Sequence, residues 1–373
     1  MTELFSIRRP AGPIPQSDKV RLRGMSLEEL GEWVIGQLGA PKYRTEQIFR
    51  WMHEKRVRDF DAMTNVPAKE RERLHALATL EGHTIGEVAH AKDGTKKLRL
   101  VTSDGQSIES VLIPNDERGY TQCVSSQVGC ALNCRFCATA SLGFLRNLHA
   151  AEIVDQVYLA QDFLERDAAE RGAEWPDRIT NLVYMGMGEP LHNFNHVRRS
   201  LDLLMSPFGA GISGKRITVS TSGLVPAIER FGREGLGREV GLAVSLNATT
   251  DATRDEVMPI NTRWKIAELL KAVNDVPIQR RRRITFEYVL LADVNDSRDD
   301  ARRLLRLLKG FRCHVNVIPF NPHAHAPYRR PEPGRVRDFM HILQTAGLPV
   351  YLRTPRGDDI QAACGQLALE NSR

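Results

Sequence analysis

The chain has 373 residues, 42% of them hydrophobic, enough for one large domain, a smaller one and a sizeable core. No apolar run reaches the ~18 residues of a membrane span, and the opening MTELFSIRRPAGPIPQ lacks the apolar stretch of a secretory signal, which excludes a membrane protein and points to the cytoplasm. The formal net charge of +6, from 52 Lys+Arg against 46 Asp+Glu, leans toward the first hundred residues; it suits a polyanionic partner such as RNA and is also common without one.

In chain order, residues 1–20, with Pro10, Pro13 and Pro15, read as a flexible leader. Ser26 and Glu29 form an S-x-x-E capping box ahead of Leu27, Leu30, Trp33, Val34 and Leu38 at helical spacing. TEQIFRWMHEKRV (45–57) and the segment from Pro67 to Leu80 predict two more amphipathic helices. Strand candidates follow in HTIGEVAHA, KKLRLVT and SIESVLIP. Residues 21–100 are assigned to a small accessory unit and 101–115 to a connecting strand region.

From about residue 120 the pattern becomes apolar strand, polar turn, amphipathic helix, repeated. The strands are expected at TQCVSSQ, NLVYMG, RITVSTS, VGLAVSLN, ITFEYVLL and VNVIPFN, with helices marked by stripes such as Ile153, Val157, Ala160 and Leu164. Six such units imply parallel strands with right-handed crossovers, in either a partial (β/α) barrel or a doubly wound sheet. Loops at the C-terminal ends of the strands carry the chemistry in both. Here those loops read as a Cys-rich segment, GMGEP, STSG, SLNATT and IPFNP.

Four of the six cysteines fall within CVSSQVGCALNCRFC, residues 123–137. In a reducing compartment such clustering points to metal or catalysis more than to disulfides. Cys130, Cys134 and Cys137 are spaced C-x3-C-x2-C, and three thiolates from one short loop suit a cubane iron–sulfur cluster whose fourth iron stays open. A structural zinc site with Cys123 as fourth ligand is the alternative. An open iron needs a chelating ligand, and the spacing, with Phe136 before the third cysteine, resembles the signature of radical S-adenosylmethionine (SAM) enzymes. The glycines of GMGEP would let backbone approach a small ligand, and Glu189 could accept from an ammonium group. Ser220, Ser245 and Asn321 add short polar groups at further strand ends, each of which taken singly is ordinary turn chemistry.

CVSSQVGCALNCRFCAT, MGMGEPLHN, STSGLVPAI, the SLNA segment, IPFNP and RGDDIQAACGQL, in that order, resemble the RlmN/Cfr family of radical-SAM RNA methyltransferases, and within it the RlmN branch. The resemblance extends from about residue 25 across nearly the whole chain. It implies an α/β fold, a partial (β/α)6 TIM-like barrel as radical SAM core over residues 116–357, preceded by the small helical accessory domain that helps grip RNA, and followed by a C-terminal segment, 358–373. It implies a 4Fe-4S cluster on Cys130, Cys134 and Cys137, and SAM contacts at Gly188, Glu189, Ser220, Ser245, Leu246, Asn247 and Asn321. Many members have His where this chain has Asn247, which keeps a hydrogen-bonding side chain but cannot titrate.

The resemblance also implies a reaction. Adenine C2 is electron-poor and unsuited to direct methyl transfer. The family first methylates a cysteine, matched here by Cys364, and a second SAM gives a 5'-deoxyadenosyl radical that takes hydrogen from the S-methyl group. The carbon radical adds to adenine; Glu109 matches the residue that then removes the ring proton, and Cys123 the thiol that expels product by forming a disulfide. Substrates implied are 23S rRNA and tRNA, with two SAM per turnover and a flavodoxin or ferredoxin as electron donor. Alternatives are the C8 methyltransferase of the same family, a non-catalytic zinc-containing RNA-binding protein, and a radical-SAM enzyme acting on a peptide or small molecule. Outside these residues, Cys313 reads as core, His323 and His325 as a solvated loop, and Arg280 to Arg283 as a solvated face on the far side of the barrel.

Overall fold

A computed structural model describes residues 19–115, 119–173 and 177–368, so most of the expected leader lies outside the described residues. The capping box forms as read: the Ser26 hydroxyl accepts from the Glu29 amide at 3.1 Å, and the Glu29 carboxylate accepts from the Ser26 amide at 2.9 Å. It opens helix α1 (Leu27–Trp33), which runs into a π-helical turn, Val34–Leu38, closed by Gly39 in the left-handed region. Helix α2 (Tyr43–His53) buries Ile48, Phe49 and Met52, and α3 (Ala68–Leu77) follows Pro67. The sequence pattern carried α2 to residue 57. It stops four residues sooner, and Arg56, with φ 55°, turns its guanidinium onto Asp162 and Glu165.

One ten-stranded sheet organises the rest. An antiparallel run comprises β1 (Thr84–His90), β2 (Lys96–Val101), β3 (Ser107–Asn115) and β4 (Gly119–Cys123). Seven parallel strands then follow in unbroken chain order, starting with β4 itself. Setting aside a small hairpin, β5 (Gln127–Gly129) with β6 (Phe144–Asn147), they continue as β7 (Arg178–Tyr184), β8 (Ile217–Thr221), β9 (Gly241–Ser245), β10 (Ile284–Leu290), β11 (Cys313–Pro319) and β12 (Val350–Leu352). Helices α4 (Ala150–Glu170), α5 (Phe194–Met205), α6 (Val225–Arg233), α7 (Ile266–Asn274), α8 (Arg298–Leu307) and α9 (Pro333–Thr345) connect successive parallel strands.

This order decides between the two architectures left open by the sequence. A doubly wound sheet reverses its strand order part-way, whereas here every crossover steps in one direction and right-handed connections place all six helices on one face. The fold is the expected (β/α)6 barrel core, with a seventh parallel strand. The expectation that residues 84–100 belong to the accessory unit needs correcting: β1 and β2 are hydrogen-bonded into the core sheet, and Leu98 and Leu100 on β2 are fully buried there. Two further elements, the β5–β6 hairpin and β12, are too short to display a period. Among the described residues no helix is long and apolar enough to cross a membrane.

The accessory helices are joined to the barrel through Asp155 on α4, which is fully buried. It pairs with Arg23 and with Arg58 (3.0 Å) and accepts from the His83 amide at 2.6 Å. The core between sheet and helices includes Leu182, Val219, Phe231, Leu269, Phe286 and Phe339, all at or near zero exposure. Phe286→Ala would leave a cavity in rigid surroundings, where Phe311 packs edge-on at 5.7 Å. A loss of ~3–5 kcal/mol in unfolding free energy is expected, measured by denaturant titration.

Candidate functional site

The cysteine loop is built on the β5–β6 hairpin. The Cys130 amide donates to the Gly143 carbonyl at 2.9 Å, and Gly129 has φ +73°, where a Cβ would lie 1.8 Å from that same oxygen. Asn133 takes a left-handed turn between the first two cysteines, with φ 53°. On the far side of the loop, His323 Nε2 donates to the Phe136 carbonyl at 3.0 Å. This histidine therefore braces the loop, which corrects its reading as a merely solvated residue.

Cys130, Cys134 and Cys137 line one cavity. Loops from the C-terminal ends of the parallel strands bring Gly188, Glu189, Ser220, Ser245, Asn247 and Asn321 to the same cavity, together with Cys364 from the tail. Leu246 lies in the same loop as its neighbours but is buried away from the cavity. Cys313 is buried at the start of β11, as read.

Several of these side chains also hold the loops to one another. Glu189 is buried and accepts from the Leu191 amide (3.0 Å) and the Ser222 amide (2.8 Å), fastening the loop after β7 to that after β8. Burial pushes its carboxyl above the ordinary carboxylate range, and these donors oppose the shift. Asn247 sits at φ 53°, accepts from the Val289 amide at 2.8 Å and donates to Met258 Sδ at 3.2 Å. Asn321 donates to the Cys364 carbonyl at 3.2 Å. The glycines of GMGEP answer to the protein itself: a Cβ on Gly186 would lie 2.7 Å from Ser125 Oγ, and one on Gly188 would lie 2.5 Å from Gln127 Cβ.

Three residues at the site were missed from the sequence. Arg254 is fully buried and donates to the carbonyls of Ser222 (2.7 Å), Ser245 (3.0 Å) and Leu246 (3.0 Å) and to Asn261 Oδ1 (3.1 Å), clamping two strand-end loops. Burial lowers its pKa to about 10. Nothing in ATTDATRDEV distinguishes it from a surface arginine. Glu287 lines the cavity from mid-β10, where a carboxylate inside the apolar run ITFEYVLL was a visible signal. Arg353 follows directly on β12 and lines this cavity as well.

A second cavity adjoins the first, sharing Met185, Ile318, Asn321, Arg353, Cys364 and Gly365. Cys123 lines it from β4, directly opposite Val111 on β3. The Cys364 surface is open to solvent, but the opening faces these two cavities. Glu109 lines neither; it is buried two residues before Val111 on the same face of β3, ion-paired to Lys97 at 3.0 Å. The tail is stitched down on both sides of Cys364: the Lys92 amide donates to Asp359 (3.1 Å), the Ala138 amide to the Gly365 carbonyl (2.7 Å) and Thr139 to the Leu367 carbonyl (2.7 Å). Arg282 donates to the Gly214 and Glu239 carbonyls, anchoring loops before β8 and β9 on the opposite face.

The donor set fits an iron–sulfur cluster better than zinc. A single zinc ion would draw its thiolates to ~3.8 Å of one another. Among the described residues the one group of three His, Cys, Asp or Glu ligand atoms within 4.8 Å is the exposed trio Asp59, Asp61 and His75. Cys130, Cys134 and Cys137 line one cavity together, whereas Cys123, the fourth ligand a zinc site would draw on, lines the other. Burial raises all three thiols above their ordinary value, so a cationic group is needed to hold them as thiolates.

Comparison with known proteins places these features. The model of the ribosomal RNA large subunit methyltransferase N-terminal domain matches residues 20–80, and that of the radical SAM superfamily matches residues 124–308. A protein of Anaeromyxobacter dehalogenans named dual-specificity RNA methyltransferase RlmN is 47% identical over 95% of this chain and 93% of its own length. One of the same name from Desulfotalea psychrophila is 44% identical, over 95% and 96%. The crystal structure of a radical SAM methyltransferase from Sphaerobacter thermophilus superposes with a TM-score of 0.84 at 44% identity, over 93% of this chain and 99% of that one.

Two outcomes test the site's electrostatics. Arg254→Met would strand three carbonyls and an amide oxygen, and a stability loss of ~3–5 kcal/mol is expected by denaturant titration. Burial, reinforced by Cys364, pushes the Cys123 thiol up to about 12. Its folded form therefore holds the proton more tightly than the unfolded chain, so this contribution to stability is full below the ordinary thiol range and is lost as pH rises toward 12. Alkylation of Cys123 in the native protein should climb ~10-fold per pH unit well past the point where a free thiol levels off, read by peptide mass spectrometry.

Proposed function

The chain belongs to the RlmN family of radical-SAM RNA methyltransferases, and from that premise we propose that it methylates C2 of an adenine in 23S rRNA and in tRNA by way of a methyl group carried on Cys364. The observation that carries this reading is the pair of adjoining cavities: the one lined by Cys130, Cys134 and Cys137 shares the Cys364 wall with the one that holds Cys123. An ordinary methyltransferase has no use for either of the two further thiols.

In this reading Cys130, Cys134 and Cys137 hold a 4Fe-4S cluster, and Gly188, Glu189, Ser220, the Ser245 to Asn247 strand end and Asn321 receive SAM. When bound, these groups supply a methyl cation equivalent in one half-reaction and a hydrogen-abstracting radical in the other, which accounts for two SAM per turnover. Cys364 first attacks as a nucleophile and becomes the S-methyl thioether. Arg353 opposes the burial that raises the Cys364 thiol, which favours that attack. Once the thioether carbon has lost hydrogen and bonded to C2, the adduct must give up one electron, an oxidation that a cluster held by Cys130, Cys134 and Cys137 would supply; Glu109 takes the C2 proton and the C–H electron pair restores the aromatic ring. Cys123 then attacks the Cys364 sulfur. An S–S bond forms, the S–C pair leaves with the carbon, and a proton completes the methyl group.

The accessory helices and the rim loops are the expected RNA contacts, with salt-dependent binding through phosphates. The target adenine must be unstacked to reach the cavity, which suits a loop position. A flavodoxin or ferredoxin is the expected electron donor.

The test is mass spectrometry of nucleosides from unmodified 23S rRNA and tRNA after incubation with anaerobically reconstituted enzyme, SAM and reductant. The expected product is 2-methyladenosine, abolished in Cys123→Ala and Cys364→Ala. Appearance of 8-methyladenosine would reassign the regiochemistry, and 5'-deoxyadenosine without any methylated base would remove RNA as the substrate.

A further inference from the structure

We propose that Lys97 is a positioning residue for Glu109, setting its carboxylate against the tail that carries Cys364. The inference rests on the reading of Glu109 as the proton acceptor.

The strand register sets the problem. Glu109 on β3 lies directly across from Arg99 on β2, the natural cross-strand partner for a carboxylate. Arg99 instead pairs with Glu87 on β1, at 3.5 Å. The Glu109 carboxylate reaches diagonally to Lys97, whose ammonium lies 3.0 Å away. Lys97 faces Val111, and Val111 faces Cys123, so Lys97, Val111 and Cys123 form one row across β2, β3 and β4 on a single face of the sheet. Lys97 draws the carboxylate off the Arg99 row and holds it on the β2 side of β3, at the level along the strands where Val111 and Cys123 pair.

The same ammonium donates to the Gln361 carbonyl at 3.3 Å. Gln361 holds a left-handed turn, φ 51°, three residues before Cys364. One side chain thus touches both the proton acceptor and the strap that carries the methylated sulfur. Both partners are well shielded, with side-chain exposures of 16% for Lys97 and 4% for Glu109, so the pair is not a loose surface contact. In the covalent adduct the C2 proton has to pass to a Glu109 oxygen, the C–H pair returning to the ring. That transfer is sensitive to carboxylate placement at the level of an ångström. Methylation of Cys364 needs no proton acceptor at C2.

The experiment compares Lys97→Met, Lys97→Arg and Glu109→Gln in reconstituted enzyme with SAM, reductant and unmodified 23S rRNA. Three readouts are taken: methyl on the Cys364 peptide, covalent protein–RNA adduct on a denaturing gel, and 2-methyladenosine. Lys97→Met is expected to leave Cys364 methylation at the wild-type level, lower 2-methyladenosine ~10- to 100-fold and accumulate adduct, as Glu109→Gln does. Lys97→Arg, which keeps the cation, should recover most of the product. The proposal is overturned if Lys97→Met forms product at the wild-type rate, or if methylation of Cys364 falls in step with product, the mark of a displaced tail. Should Glu109→Gln itself form product normally without trapping adduct, the assignment of Glu109 falls, and the role of Lys97 with it.

Discussion

Seven parallel strands laid down in strict chain order are the constraint from which the rest of this molecule follows. Because no crossover reverses, every helix packs on one face of the sheet and every strand-end loop is delivered to the same rim. The cysteine loop, GMGEP, the serine and asparagine strand ends and the tail, separated by more than two hundred residues of chain, meet there without any long excursion of backbone. The antiparallel strands β1 to β3 extend the same sheet on the β4 side. They add a second floor beside the first, and on it stand Lys97, Glu109 and Cys123.

Convergence alone does not make a rigid site, since loops at a rim carry backbone groups that need partners. Two buried charged side chains supply them. Glu189 receives two amides and Arg254 donates to three carbonyls, so the loops after β7, β8 and β9 are hydrogen-bonded through ionisable side chains. Burying such groups is costly unless each lone pair and proton finds a partner, and here the loops themselves are the partners. The result is a preformed cavity whose walls cannot drift independently.

Much of this was legible in the sequence. The alternation of strands and helices placed the core strands within a few residues, because buried parallel strands read as apolar runs and their helices as stripes. The C-x3-C-x2-C spacing located the thiol loop because three ligands on one loop leave a local pattern. Interactions that depend on tertiary register were not legible. The inclusion of β1 and β2 in the core sheet hinges on edge pairing, which composition does not encode. Arg254 looks like any helix arginine until the loops close over it. Lys97 and Glu109 sit on strands whose alternation marks them only as facing one way, and the bracing by His323 depends on a loop almost two hundred residues away in sequence.

The shared wall between the two cavities has a consequence for how the molecule moves. The Cys364 sulfur sits in a partition, with one chamber on each side and a backbone pinned before and after it. Facing one chamber or the other is then a matter of torsion about its own Cα–Cβ bond, a motion of picoseconds to nanoseconds when unhindered. In the proposed reaction the two kinds of chemistry at Cys364 would thereby be separated in space by a swivel of one side chain.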